Sequence, residues 1–225
     1  MPQVFDRILV TVPDLAVAAA AYSKLLGAPE RNDPVAGCAT WVLANTAIEV
    51  SQRVDGAPAV SGLVLTGDGA GEQAAPLANP LGLDLRTCDG SAMTTLRKAA
   101  PERQLRIDHL VLRTADADAC IALFGDQLGI RLALDKTVPR WGGRMLFFRG
   151  GKMTLEVIDA GADGESRNYF WGIAYQCDDI DSVVADLTGR GVVLSGVREG
   201  RKPGTRVATI KSHCLEIPSL LIQQA

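Results

Sequence analysis

The chain repeats itself, and that repeat limits the folds open to it. The segment starting Phe5-Asp-Arg-Ile-Leu-Val aligns without a gap on the one starting Ile107-Asp-His-Leu-Val-Leu. Asp6 falls on Asp108, Arg7 on His109, Asp14 on Asp116 and Tyr22 on Phe124, and the pair Leu26-Gly27 falls on Leu128-Gly129. A third copy begins at Tyr169, with Gly172 in the place of His109 and Asp179 in that of Asp116. Chains built this way bury one supersecondary unit against the next copy of itself.

Each copy reads as a strand, a helix and further strands. The opening strand alternates and is rich in β-branched residues. An aspartate then offers a helix N-cap at Asp14, Asp116 and Asp179. Good helix formers fill 16–26, 117–128 and 181–189, and Gly27, Gly129 or Gly191 closes each helix. Further strands are expected at 39–43, 46–51, 145–149, 153–158, 206–210 and 220–223. The stretch 60–93 departs from the plan. Residues 61–66 and 83–87 read as strands, but the glycine- and proline-rich 67–76 between them cannot form a full helix. A short helix near 92–99 fits the connection between halves. The expectation is an α+β protein of four βαβββ-type modules in two halves, the second module degenerate. The halves divide at 1–100 and 101–225.

Bulk properties remove several function classes. At 225 residues the chain can form one sizeable or two small domains, and 47% hydrophobic with 22% charged residues is ordinary globular composition. A net charge of −3 gives no argument for nucleic acid or an anionic membrane. No apolar run is long enough to span a bilayer, and the first residues do not read as a signal peptide. The five cysteines are scattered, with no Cys-x-x-Cys pair, so neither a disulfide framework nor a zinc ribbon is expected. These features point to a reduced, cytoplasmic protein.

Chemistry concentrates in the third copy. Alternation puts Leu110 and Leu112 on one face of their strand and His109, Val111 and Arg113 on the other. In 153–158, Leu155 and Val157 share a face and Glu156 points away. If the two strands are neighbours, His109 and Glu156 form half of a metal site or an acid–base pair. Arg7 and Glu49 are their counterparts in the first copy. Arginine does not ligate metals, so that pair reads as a closed salt bridge or, alternatively, as a grip on a ligand's carboxylate or phosphate. Trp141, Phe147, Phe148, Phe170 and Trp171 are either core or the wall of an apolar pocket. Arg140, Arg144 and Arg149 suit an acidic ligand or a solvated face. His213 and Glu216 read as loop residues, and Gly142-Gly143 and Gly150-Gly151 as turns.

The pattern resembles the vicinal oxygen chelate superfamily: glyoxalase I, bleomycin and fosfomycin resistance proteins, methylmalonyl-CoA epimerase and extradiol dioxygenases. The resemblance rests on Asp6-Arg7 with Val12-Pro-Asp-Leu, Asp108-His109 with Asp116, the Leu-Gly helix ends, Leu155-Glu156-Val157 and the terminal 217–223. It implies curved mixed sheets around a cavity with a divalent metal, Fe, Mn, Zn or Ni, on its floor. Carried over residue by residue, the ligands are His109, Glu156 and Gln223, with Gly172 at a position where the family often has histidine. His109 and Glu156 become the expected catalytic pair, and Trp141, Phe147, Trp171, Arg113 and Arg7 the expected substrate pocket. The implied function is metal-dependent glyoxalase or dioxygenase-like chemistry on a small oxygen-bearing molecule. The alternative is a metal-free protein that binds or sequesters a small molecule, as bleomycin resistance proteins do. A metal-free general base at the same pair lies between them. The expected partners are a small-molecule ligand and, by resemblance, a second copy in a homodimer, with no nucleic acid and no membrane.

Overall fold

In the computed structural model, residues 4–138, 143–159 and 167–224 are described. The first module comprises β1 (Val4–Val12), α1 (Leu15–Leu26), β2 (Arg31–Asp33), β3 (Cys38–Val42) and β4 (Ala47–Gln52). The second has only β5 (Ala59–Thr66), β6 (Ala75–Leu77) and β7 (Asp84–Cys88), and α2 (Ser91–Ala99) follows it. The third contains β8 (Arg106–Thr114), α3 (Ala117–Cys120), β9 (Arg131–Val138), β10 (Gly143–Gly150) and β11 (Met153–Asp159). The fourth has β12 (Tyr169–Gln176), α4 (Ile180–Gly189), β13 (Arg198–Glu199), β14 (Thr205–Ile210) and β15 (Ser219–Gln224).

Two mixed sheets result. The first runs β2-β3-β4-β1-β5-β7-β6, and the second runs β13-β14-β15-β12-β8-β11-β10-β9. In both, the first strands of two successive modules pair antiparallel at the centre, β1 with β5 and β8 with β12. The first and last strands of each odd module pair in parallel, β1 with β4 and β8 with β11. The second module is shortened as expected, with no helix between β5 and β7 among the described residues.

The capping aspartates do what their chemistry suggests. Asp14 accepts from the Val17 amide at 3.0 Å, Asp116 from Ala119 at 2.9 Å and Asp179 from Ser182 at 3.1 Å. The helix expected over 117–128 is regular for only one turn. From Ile121 to Gln127 it widens into π-helical turns, an insertion-like irregularity that sequence periodicity does not display.

Each sheet turns one face inward to a core common to both halves. Ile8, Val10, Trp41 and Ile48 of the first sheet join Leu110, Leu155, Phe148 and Tyr175 of the second in that core. Tyr22 of α1 sits there edge-on to Trp41, ring centres 5.5 Å apart. The seam between halves is also polar. The Asn45 amide donates to Ile107 O at 2.6 Å and Lys152 O at 3.0 Å, and its oxygen accepts from Ile107 N at 3.0 Å. All five cysteines are free, and no helix among the described residues is long and apolar enough to cross a membrane.

Candidate functional site

The outer face of the second sheet carries the candidate chemistry. The parallel register of β8 and β11 sets His109 opposite Thr154 and Val111 opposite Glu156. The two functional side chains are therefore diagonal neighbours on one face. His109 Nε2 lies 3.4 Å from Glu156 Oε2, with side chains 18% and 15% exposed. Val111, Ala174 and Ile222 share this face and are buried, yet they lie outside the inner core. The sheet therefore shelters the pair while leaving it reachable.

Alternation puts Asp108 on the inner face, away from His109. A β-bulge changes that. Ile107 pairs with Tyr175 and His109 with Ala174, leaving Asp108 as the extra residue. Its carboxylate meets His109 Nδ1 at 2.7 Å, and its other oxygen accepts from the Gln224 amide at 2.6 Å. Burial works against charging His109, but the hydrogen bond to Asp108 and the nearby charge of Glu156 outweigh it, so its pKa is raised. Burial pushes the Asp108 pKa up, and the hydrogen bond with His109 overcomes this, leaving Asp108 below the usual carboxylate value. Both shifts favour a protonated histidine beside an ionised Asp108.

The first sheet repeats the arrangement with different chemistry. Asp6 is the extra residue of the equivalent bulge, between Phe5 and Arg7. Arg7 holds Asp6 Oδ2 through Nη1 at 2.6 Å and Glu49 Oε2 through Nε at 3.1 Å. Flanking carboxylates raise the Arg7 pKa although burial opposes them. Helix α2 covers this face, packing Met93 with Val42 and Ala47. Arg97 of α2 also donates to Asp6 O at 3.0 Å. Arg7 is thus spent within the first half, not brought to the His109 pair.

Gln223 is a correction. Its side-chain oxygen accepts from the Ile180 amide at 3.2 Å, at the start of α4. That places it on the inner face, where it cannot reach His109. The register aligns Ile173 with Ser219, so stepping back pairs Gly172 with Pro218 and makes Leu220 the true counterpart of Glu156. Gly172 does sit at the counterpart of His109, and a Cβ there would lie 2.6 Å from Pro218 O. Gly62 holds the same position in the first sheet, opposite Leu9, where a Cβ would lie 2.4 Å from Asp84 O. The even modules are packed too closely here to hold any side chain.

Among the described residues, then, the site offers two metal donors, His109 and Glu156. Leu220 and Gly172 add none, and Asp108 faces the wrong ring nitrogen. No cluster of three or more potential His, Cys, Asp or Glu ligands occurs among the described residues. Resident divalent ions of this kind take three or four protein ligands, and this donor set does not fit one.

The other expected pocket residues divide. Phe147 stands directly opposite Glu156 on β10 and is half-buried on the same outer face, while Phe148 and Phe170 are core. Trp171 is the extra residue of a second bulge, between Phe170 and Gly172, and is 44% exposed. The Arg113 guanidinium lies 6.0 Å from its ring centre. Arg149 is on the outer face and donates to Thr154 at 3.3 Å. Arg144 is engaged by Asp135 and Asp118, each at 2.7 Å, as a surface cation. His213 bonds Ser212 at 2.7 Å in a loop, and Glu216 is exposed there. Trp141, Arg140 and Gly142 lie outside the described residues. Sequence reasoning missed Asp108 and Gln224. The repeat offered a signal for Asp108, since an aspartate precedes the basic residue in both copies.

Comparison with known proteins finds likeness over part of the sequence and in the fold. Residues 108–209 match the model described as Glyoxalase/Bleomycin resistance protein/Dioxygenase superfamily. A mutant of 4-hydroxymandelate synthase from Streptomyces coelicolor superposes with a TM-score of 0.70 at 14% identity, covering 100% of this chain and 93% of that one. Methylmalonyl-CoA epimerases from Streptomyces coelicolor and Mycobacterium tuberculosis each cover 53% of this chain at 21% identity and a TM-score of 0.43. They are matched over 97% and 87% of their own length. No curated protein matches this chain.

Proposed function

We propose that this chain, residues 108–209 of which match the Glyoxalase/Bleomycin resistance protein/Dioxygenase model and which shares its fold with a 4-hydroxymandelate synthase, is a vicinal oxygen chelate protein that binds a small oxygen-bearing molecule at His109 and Glu156 without a resident metal. The observation that carries this reading is the unequal grip on His109. Its Nδ1 is held by Asp108 at 2.7 Å, a full hydrogen bond, whereas Nε2 stands 3.4 Å from Glu156, beyond a good one. Nε2 is therefore oriented but not used up.

A proton donor and a carboxylate acceptor side by side suit a carbonyl next to a hydroxyl or to an acidic C–H. The carbonyl oxygen accepts from His109 Nε2–H, displacing the weak contact with Glu156. Glu156 then accepts the hydroxyl hydrogen or, where the ligand carries a proton next to the carbonyl, removes it. Charge developing on the carbonyl oxygen meets an imidazole ring already positioned by Asp108, whose protonated form its neighbours favour, so little reorganisation accompanies it. Binding and proton transfer are thus one arrangement with two outcomes, set by the ligand.

The test combines metal and ligand. Metal content after incubation with Fe(II), Mn(II), Zn(II) and Ni(II) is compared between wild type, His109→Gln and Glu156→Gln. In parallel, α-hydroxy ketones and 2-oxo acids are titrated and followed by backbone amide NMR. The expected result is no stoichiometric metal that depends on either residue, and ligand binding weakened about tenfold or more in both variants. Near-stoichiometric metal lost in both variants sinks the metal-free reading.

A further inference from the structure

The Arg113 side chain is a cation on the outer face whose geometry the site above leaves unexplained. It lies on β8 on the same side as His109, four residues further along, roughly 13 Å away in an extended strand. Among the described residues no carboxylate is paired with it. Its recorded contact is with the ring of Trp171, 6.0 Å from the centroid. By contrast, Arg7, Arg86, Arg103, Arg106, Arg144, Arg190 and Arg206 all meet an aspartate or glutamate. Arg113 is also half-buried, so its charge is neither fully hydrated nor neutralised.

The local backbone is shaped around this pair. The β12 bulge adds Trp171 as an extra residue between Phe170 and Gly172 and turns a large indole outward, 44% exposed. The first sheet has a serine, Ser61, at the corresponding extra position between Val60 and Gly62. Between this end and His109 the outer face carries Glu156 with apolar neighbours on either side. Val111 lies on the strand itself, Ile158 sits opposite Arg113, and Phe147 sits opposite Glu156. The face therefore has His109 at one end, Glu156 among apolar side chains in the middle and a guanidinium beside an indole at the other end.

Resting on the proposed function above, we infer that Arg113 and Trp171 form an anion subsite, and that the ligand is an elongated organic acid. Its carboxylate binds Arg113, its apolar or aromatic body lies over Trp171, Ile158 and Phe147, and its oxygen-bearing end reaches His109 and Glu156. A guanidinium presents a planar fork that matches a carboxylate. The nearby indole, 6.0 Å from the guanidinium, attracts the cation without occupying its hydrogen-bond donors.

The test is a comparison of charge at constant shape. ω-Aryl alkanoates of graded chain length, and the primary amides of the same acids, are titrated at millimolar concentrations and followed by NMR. Proteins are wild type, Arg113→Gln, Arg113→Lys, Trp171→Leu and Glu156→Gln, with melting curves to confirm folding. In wild type each acid of matching length is expected to bind about tenfold tighter than its amide. Arg113→Gln removes that preference, Arg113→Lys keeps part of it, and Trp171→Leu weakens acid and amide alike. Glu156→Gln leaves the acid-to-amide ratio unchanged, so failure of the His109–Glu156 reading is separable from failure of this one. Equal binding of acid and amide, a preference that survives Arg113→Gln, or no binding of any acid overturns the subsite.

Discussion

At the scale of single residues, one histidine sits between two carboxylates, one bond short and the other long. Folding favours the protonated form of His109. Its contribution to stability is therefore complete below the unfolded value of 6.5 and is lost as pH rises through the raised folded value. Asp108 runs the other way: its contribution is present above the unfolded 3.8 and is lost as pH falls through its lowered folded value. His109→Gln should therefore cost roughly 1–3 kcal/mol near pH 6. That cost should shrink in denaturant melts taken progressively to pH 9, and a cost that stays constant would show that His109 is neutral in the fold. The His109–Glu156 pair was legible from alternation alone, because both residues oppose apolar neighbours on their own strands. Asp108 was not. Alternation assigns it to the opposite face; the aspartate repeated before Arg7 and His109 marks the residue, but only the bulge, which alternation does not display, brings it round.

At the scale of elements, local chemistry was legible and register was not. Aspartate caps and the helix-closing glycines act within a few residues of themselves, so the sequence states them directly. The last strand depends on pairing with β12, and a shift of register exchanges the two faces completely. That is how Gln223 was assigned a place that belongs to Leu220. The glycines of the even modules carry a related lesson. Gly172→Ala and Gly62→Ala put a Cβ 2.6 Å and 2.4 Å from backbone oxygens. Each should cost about 1–3 kcal/mol in urea unfolding. Gly196→Ala, which meets nothing within 4 Å, should stay within about 0.5 kcal/mol of wild type. A neutral Gly172→Ala would mean that β12 and the segment before β15 are less tightly apposed than described.

At the scale of the molecule, the two halves share one core and a polar clamp. Asn45 makes three hydrogen bonds across the seam, and its removal leaves Ile107 with unmet backbone groups. Asn45→Ala should lower stability by roughly 2–3 kcal/mol. Unfolding should remain a single transition when fluorescence and circular dichroism are compared, because the apolar core still spans both sheets. Two separated transitions would show that Asn45 is what couples the halves. The repeat made the paired architecture legible, since two copies of one pattern predict two similar sheets. It could not say which copy is chemically open, because that depends on α2, a helix outside the repeat.

That helix has a consequence for how the chain responds to its surroundings. In binding terms α2 is a ligand tethered to the first sheet, present at an effective concentration no free molecule matches. Whatever occupancy contributes to the first half is already counted in its folding. The second half has no such tethered occupant among the described residues. On the function proposed above, that face is left for a molecule from solution to fill, which the first half, closed by its own helix, does not need.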